Sequence, residues 1–297
     1  DNDDDDDSDD DSDDDNIVVD EEAAAAVAES IILQLNTIIR RRNEFPLRQR
    51  KKIDKLAKEY IQKLGDDIHD MLCDIYEPDY VNYKGLDCDR DTVQEVETAS
   101  GFFPGLLSRR GGPLNLYPIQ YLSRNSVTGR FNLKTIPFIV NIARLRNESN
   151  DFFKEKRGGL LCEDRSGRNT LQHLMCTNKV YKGIDYDIHV DNVIVTQMNR
   201  LRQIHLFKKE DIVRYNLVHR MYRQRYFSSR KFRFLIQWNP TVLLQTHEEN
   251  GRLPLHRTAR KVTNIEAFER VVDYTIRYYP IMKGIHLLFQ KDNDGET

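Results

Sequence analysis

The chain has few of the residues that build metal sites, disulfides or membrane spans. Its 297 residues include four cysteines, at positions 73, 88, 162 and 176, with no Cys-x-x-Cys pair. This spacing argues against zinc and favours ordinary thiols in a reducing compartment, so we expect an intracellular protein, cytoplasmic or nuclear. No apolar run approaches the roughly 18 residues of a membrane span, and we predict no membrane association.

Recognisable catalytic motifs are also lacking. The sequence contains no Gly-x-x-x-x-Gly-Lys-[Ser/Thr] loop, no Gly-x-Ser-x-Gly elbow, no His-Glu-x-x-His and no Gly-x-Gly-x-x-Gly. Asp185, Asp187, His189 and Asp191 alternate and could share one face of a strand as metal ligands, but their spacing matches no EF-hand or zinc site. A solvated insert over residues 179–191 is the simpler interpretation. We predict that the chain is not an enzyme and has no cofactor and no metal site.

Charge is divided unevenly along the chain. Residues 1–22 contain 13 Asp and 2 Glu and neither Lys nor Arg, which leaves 33 acids against 45 bases in the rest, a formal charge of +12. A run of like charges repels itself and buries no apolar surface, so we predict a disordered acidic tail over residues 1–22. The tail either keeps the chain in solution or folds over the basic body and competes with an acidic partner.

Helical periodicity begins directly after this tail. Ile31, Leu35 and Ile38 belong to one amphipathic stripe, and a second stripe begins after Pro46, with Gly65 as a possible interruption. We interpret residues 23–84 as a helical N-terminal region that caps the C-terminal remainder of the chain. The sequence Thr92-Val93-Gln94-Glu95 predicts a capping box at the start of a helix that ends before Pro104.

A recurrent pattern organises the remaining residues 85–297. Its clearest copy has a helix that ends at Trp238 before Pro240, an extended loop, an Asn250-Gly251 turn and a helix start at Pro254. Equivalent turns are predicted at five positions, whose spacings of 52, 47, 37 and 44 residues fall in the range of repeat proteins: Asn115, Gly167, Arg214, Gly251 and Gly295. The chain does not begin with Met and stops within a copy of the pattern, so both ends look like fragment boundaries.

Two copies of the turn resemble the signature of the ankyrin repeat. Asp164-Arg165-Ser166-Gly167-Arg168-Asn169-Thr170-Leu171-Gln172 and Asn250-Gly251-Arg252-Leu253-Pro254-Leu255-His256 are similar to Asp-x-x-Gly-x-Thr-Pro-Leu-His. The resemblance implies an all-α fold, namely a helical solenoid of divergent ankyrin-like helix-turn-helix repeats. It also implies that His219 and His256, the two histidines that could be general bases, bind loop backbone instead. The alternative is a generic helical domain whose turns use Asn-Gly and Pro.

Two functions remain open. The ankyrin resemblance implies a protein-protein interaction scaffold, and we predict that a protein partner contacts a concave or loop-tip face through seven residues: Glu163, Asp164, Arg165, Arg168, Glu248, Glu249 and Arg252. The alternative is binding of nucleic acid or another polyanion by the basic body, since arginines and aromatics alternate in residues 214–238 and can hold phosphates and stack on bases. Aromatics at helical spacing also suit a core, and we favour that interpretation. We expect a monomer.

Overall fold

The computed structural model describes residues 21–74, 76, 81–124, 133–149, 151–176, 184–222, 227–247, 250–260, 265–280 and 282–295. Within these ranges the fold is all-α, with no β-strand and a single isolated bridge between Gly111 and Leu116. Fourteen α-helices are formed by the described residues: α1 (Glu21–Arg40), α2 (Leu47–Leu72), α3 (Val93–Phe102), α4 (Pro118–Leu122), α5 (Ile139–Ser149), α6 (Asp151–Glu155), α7 (Thr170–Met175), α8 (Ile184–Gln203), α9 (Lys209–Arg214), α10 (Leu217–Tyr222), α11 (Ser229–Trp238), α12 (Pro254–Ala259), α13 (Ile265–Tyr278) and α14 (Met282–Leu288). Four 3-10 helices add short turns: Arg42–Glu44, Leu106–Ser108, Ile136–Phe138 and Pro240–Leu244.

The chain divides into two compact units, and the division falls inside α2, after Lys63. In the first unit, α1 and the first part of α2 present large apolar side chains to solvent, among them Leu33, Leu47 and Tyr60. The acidic residues 1–20 lie outside the described residues, and α1 begins at Glu21, so the helix includes the last two residues of the predicted tail. The domain boundary predicted at residue 84 stays a prediction.

Several helix ends lie where the sequence predicts them. At the start of α3, the Thr92 side chain accepts from the Glu95 N–H, and the Glu95 carboxylate accepts from the Thr92 N–H at 2.7 Å, which confirms the capping box. Pro118 and Pro254 each occupy the first position of a helix, where the missing N–H costs no intrahelical bond. The helix before Pro240 ends at Trp238, as predicted.

Other boundaries differ from the sequence predictions. Gly65 does not interrupt α2, which continues through it to Leu72; the glycine is buried there beside the Phe103 ring. The loop after Trp238 is not extended, since Pro240 opens a 3-10 helix through Leu244. Residues 179–191 are not an irregular insert throughout, because α8 already begins at Ile184. The sequence Thr263-Asn264-Ile265-Glu266 also matches the capping-box pattern, but Thr263 and Asn264 lie outside the described residues.

Helices of the second unit contact one another in two series that run in chain order. In one series α7 contacts α10, α10 contacts α12, and α12 contacts α14. In the other α3 contacts α5, α5 contacts α8, α8 contacts α11, and α11 contacts α13. The pairs α10 with α11 and α12 with α13 connect the two series. The short first helix of each of these pairs and its longer second helix therefore belong to different series.

One continuous hydrophobic core lies between the two series. It extends from Leu72 to Leu287 and includes residues with no exposed surface in successive helices, such as Ile119, Leu171 and Leu217. The second residue of four short helices is a buried aliphatic one: Ile119, Leu171, Val218 and Leu255. Each follows a loop directly, so its packing in the core fixes the position of that loop.

Candidate functional site

Positive backbone φ angles mark four of the five predicted turns. The φ angles are 51° at Asn115, 68° at Gly167, 65° at Gly251 and 78° at Gly295. This left-handed conformation is inexpensive for glycine and tolerated by asparagine, which explains the residue types. Backbone hydrogen bonds close the loops, as from the Asp164 N–H to the Arg168 carbonyl (2.8 Å) and from the His247 N–H to the Arg252 carbonyl (2.9 Å).

The fifth predicted turn is displaced by two residues. Arg214 is the last residue of α9, and the positive φ of 51° belongs to Asn216 instead. Without a glycine at position 214 the helix continues, and the first residue that tolerates the left-handed region makes the turn. The prediction that Arg214 opens this turn is therefore wrong in position.

A side chain at the third position of four short helices reaches the backbone of a later loop. These linking side chains are Gln120, Gln172, His219 and His256. They hydrogen-bond the carbonyl oxygens of residues 42, 43, 26 and 34 positions later, namely Cys162, Tyr215, Gln245 and Gln290, at 3.0, 3.0, 3.0 and 2.6 Å. Each loop is thereby joined to the next one by a buried or largely buried polar group.

Three of the linking side chains make a second bond to their own helix start. The Oε1 of Gln120 accepts from the Tyr117 N–H, the Oε1 of Gln172 from the Asn169 N–H, and the Nδ1 of His256 from the Leu253 N–H, each at 3.0 Å. Because Nδ1 of His256 accepts, its proton lies on Nε2, which donates to the Gln290 carbonyl. The carboxamide of Gln and the neutral imidazole of His thus make the same two hydrogen bonds. Each is a rigid planar group that accepts one bond from an N–H and donates one to a carbonyl.

Asp164 holds the loop around Gly167 together. Its Oδ1 accepts from the Ser166 N–H (2.8 Å), the Ser166 hydroxyl (2.6 Å) and the Arg168 N–H (3.0 Å). Its Oδ2 is 2.7 Å from Arg124 and 2.8 Å from the His173 ring nitrogen. Burial raises the pKa of the Asp164 carboxyl, but the hydrogen bonds from Ser166, Arg168 and His173 outweigh it, so that the pKa lies well below its ordinary value.

The seven predicted contact residues fall into three groups. Glu163, Arg165 and Arg168 are exposed around the Gly167 turn, whereas Asp164 between them is buried and occupied by the loop itself. Arg252 is only 11% exposed and pairs with Asp292 at 2.6 Å and Asp294 at 2.9 Å, which ties its loop to the next. Glu248 and Glu249 lie outside the described residues.

The histidines considered as general bases have structural partners. His219 and His256 are both linking side chains, and each is hydrogen-bonded to a backbone carbonyl. Of the alternating set around His189, Asp191 is buried on α8 and forms an ion pair with Lys231 at 3.3 Å. Because α8 already begins at Ile184, these residues lie on a helix and not on a strand, and alternate positions of a helix do not share one face.

The described residues contain one group of three side chains within reach of a single metal ion: Asp87, Cys88 and Asp89. The Lys134 ammonium group pairs with both carboxylates of this group, at 3.3 Å from Asp87 and still closer to Asp89. The Lys134 side chain therefore already supplies positive charge to both carboxylates.

The basic, aromatic segment divides between core and surface. Phe232 and Phe234 are buried, as the core interpretation predicts, and Arg230 and Arg233 are exposed on the opposite side of α11. Lys231 departs from this division, since it is fully buried and donates to the Leu174 carbonyl at 3.2 Å in addition to its pairing with Asp191.

Two hollows adjoin α11. One, of about 550 Å³, lies between α8 and α11, and the other, of about 310 Å³, lies between α11 and α13; both are lined by Arg230 and Arg233. Arg202 from α8 and Arg270 from α13 complete the positive lining. The sequence does not reveal this grouping, because the four arginines come from three helices that are distant in the chain.

Comparison of the chain with protein-family models, with curated proteins and with solved structures gave no match. Among the described helices, none has the length and apolar character to cross a membrane. All four cysteines are described, and none forms a disulfide.

Proposed function

We propose that residues 85–297 form a row of divergent ankyrin-like repeats that binds a protein partner as a non-enzymatic scaffold. The observation on which this proposal rests is the series of linking side chains. Four short helices begin in a similar way, and a side chain of each is hydrogen-bonded to the backbone of a later loop. The stability of each repeat therefore depends mainly on the repeats next to it. That dependence is the defining property of repeat arrays, which bind partners over extended surfaces.

The order of helix contacts supports the same proposal. The two series, α7–α10–α12–α14 and α3–α5–α8–α11–α13, advance through the second unit in chain order. The repeats need not be evenly spaced, because the linking hydrogen bonds join residues that are between 26 and 43 positions apart in the sequence. Divergence of the signature is accommodated because glutamine replaces histidine with its donor and acceptor preserved.

We place the partner on the exposed residues of the loop tips, in particular Glu163, Arg165 and Arg168. Loop residues held on a rigid base are suited to recognition, since little conformational entropy is lost when they bind. Asp164 provides that base by fixing the backbone on both sides of Gly167. Arg252 has a similar supporting role toward the next loop, because its guanidinium is occupied by Asp292 and Asp294.

Site-specific photocrosslinking tests the proposal with the full chain. A crosslinking amino acid at Arg165 or Arg168 should capture the same protein from an extract of the source cells, and one at the exposed Lys154 of α6 should not. The captured protein, once purified, should bind the wild-type chain and should lose affinity at least about tenfold, or 1.4 kcal/mol, for the double variant R165E/R168E. Equal capture from Lys154, or unchanged affinity of the charge-reversed variant, would count against a loop-tip interface.

A further inference from the structure

The four arginines around α11 form a continuous positive surface. We call the two hollows lined by Arg202, Arg230, Arg233 and Arg270 the arginine groove. Arg230 and Arg233 line both hollows, so the two are adjacent along α11. The other lining residues are neutral, and no carboxylate lines either hollow among the described residues.

Three of the four arginines of this groove have no carboxylate partner within the described part of the chain. Arg202, Arg230 and Arg233 form no ion pair with any described carboxylate, and Arg270 has a single contact of 4.0 Å with Glu266. Elsewhere in the same unit the arrangement is different, since Arg124 and Arg252 approach aspartates at 2.7 and 2.6 Å. A group of cations that outnumbers its neighbouring carboxylates raises the local concentration of anions.

Neutral neighbours hold the guanidinium groups in place. The Arg202 guanidinium lies 4.6 Å from the centroid of the Trp238 ring, Arg230 donates to the Asn192 side-chain oxygen, and the Nε of Arg233 donates to the Tyr274 hydroxyl at 3.2 Å. Each guanidinium has five N–H donors, so most donors of Arg230 and Arg233 remain available for a ligand. The neutral partners orient the side chains without reducing their charge.

The remaining polar residues of the groove match those that contact nucleic-acid backbones. Amide and hydroxyl side chains of Asn199, Thr196 and Gln237 lie among the arginines. The Ser229 hydroxyl also lines the groove, but it donates to the Glu266 carboxylate at 2.7 Å. Arg, Asn, Gln, Ser, Thr and Tyr are the side chains that supply most hydrogen bonds to phosphate and sugar oxygens in such complexes. Along α8 the lining extends from Asn192 to Arg202, ten helical steps of 1.5 Å or about 15 Å, which is long enough for several successive phosphates.

We propose that the arginine groove binds the phosphodiester backbone of a nucleic acid without reading its sequence. The aromatic residues of the groove serve the fold: Trp238 contacts Phe207 and Phe234 and lies under Arg202, and Tyr274 is buried. No aromatic ring of the groove is thus fully open for stacking on a base. Binding should therefore depend on phosphate density, which is higher in a duplex than in a single strand.

The test measures binding of the full chain to fluorescein-labelled nucleic acids of about 20 nucleotides by anisotropy, between about 50 and 200 mM salt. If four arginines each contact a phosphate, the logarithm of the duplex affinity should fall with a slope of about −3.6 against the logarithm of salt concentration, or about a hundredfold over this range. The duplex should bind more tightly than a single-stranded DNA or RNA, and scrambling the sequence should have no effect.

Paired variants separate the groove from general charge attraction. R230Q/R233Q should lower the salt slope by about 1.8 and the duplex affinity at low salt by about tenfold or more. R200Q/R214Q removes the same charge from two exposed arginines outside the groove and should leave the slope unchanged. R202Q, on the α8 wall, should lower the slope by about 0.9 and provides a second test if R230Q/R233Q folds poorly by circular dichroism.

Three results would overturn the proposal. The first is an affinity that does not change with salt, and the second is an equal loss of affinity in R200Q/R214Q and R230Q/R233Q. The third is displacement of the duplex by a poly-glutamate peptide of the same net charge at the same concentration. That last result would show that the groove accepts carboxylates as readily as phosphates and is a binding site for acidic proteins.

Discussion

The equivalence of histidine and glutamine as linking side chains leads to a sharp prediction at His256. Replacement by leucine removes both the acceptor for the Leu253 N–H and the donor to the Gln290 carbonyl. Leu253 is fully buried, so its N–H has no access to water. Leaving a buried polar group unpaired costs about 1–3 kcal/mol, and the Leu253 N–H is such a group. Gln290 is only partly buried, so its carbonyl adds less, and the expected loss for His256→Leu is about 2–4 kcal/mol.

His256→Gln is the matched control, and the chain itself supplies the precedent. Gln120 and Gln172 satisfy the equivalent pair of backbone groups, with an oxygen for the N–H and an NH₂ for the carbonyl. We expect His256→Gln to lower the free energy of unfolding by less than about 1 kcal/mol, since both bonds are preserved and the change in volume is small. In the reverse direction, Gln172→His should be tolerated and Gln172→Leu should not.

Urea unfolding monitored by circular dichroism gives the free energies, provided that the denaturant slopes of the variants agree. Amide hydrogen exchange at Leu253 adds a local measurement, because this N–H should be protected in the wild type and in His256→Gln and should exchange faster in His256→Leu. If His256→Gln is as destabilising as His256→Leu, the two hydrogen bonds are not what the side chain contributes, and the proposed equivalence of the repeats loses its main support.

Turn glycines, a buried ion pair and a loop carboxylate give three further predictions. Gly251→Ala and Gly167→Ala should each cost about 1–2 kcal/mol, because alanine is unfavourable in the left-handed region. Urea unfolding should show a larger cost at Gly251, where a β-carbon would overlap the Asn293 side chain, than at Gly167, which has open space around it. Asp191→Leu should cost about 3–5 kcal/mol by removing one partner of a buried ion pair. The double variant with Lys231→Met should recover part of that loss, and an additive double variant would contradict the coupling of the two residues. The folded-state pKa of Asp164 lies below its unfolded value of about 3.9, so its contribution to stability should be complete above about pH 4 and lost as the pH falls further. The difference in the free energy of unfolding between wild type and Asp164→Asn should therefore decrease in acid, and a constant difference would refute this.

Local signals in the sequence predict helix ends and turns well. Gly167, Gly251 and Gly295 have the left-handed backbone that their turns require, and Pro118 and Pro254 open helices, because these residue types have few other low-energy options. Arg214 shows the limit of this reasoning. The pattern has no glycine there to fix the turn, and the chain uses Asn216 instead.

Partners that are distant in the chain could not be predicted from local patterns. Lys231 resembles part of a basic, solvated face until its ion pair with Asp191, 40 residues earlier, is known. Gln120 and Gln172 resemble degenerate replacements for histidine, although the shared donor and acceptor geometry was a signal that could have identified their role. The arginine groove depends on the packing of three helices, and no single segment contains it.

The linking side chains all act in one direction, from an earlier loop to a later one. Cutting the chain between two repeats would therefore damage its two sides unequally. The N-terminal piece would keep a buried Gln or His whose donor has lost its acceptor, whereas the C-terminal piece would keep only a carbonyl, a group that tolerates incomplete hydrogen bonding more readily than an N–H does. Removal of N-terminal repeats should therefore destabilise the remaining chain less than removal of C-terminal repeats. Unfolding should begin more readily at the C-terminal end of the array and proceed toward the N-terminus.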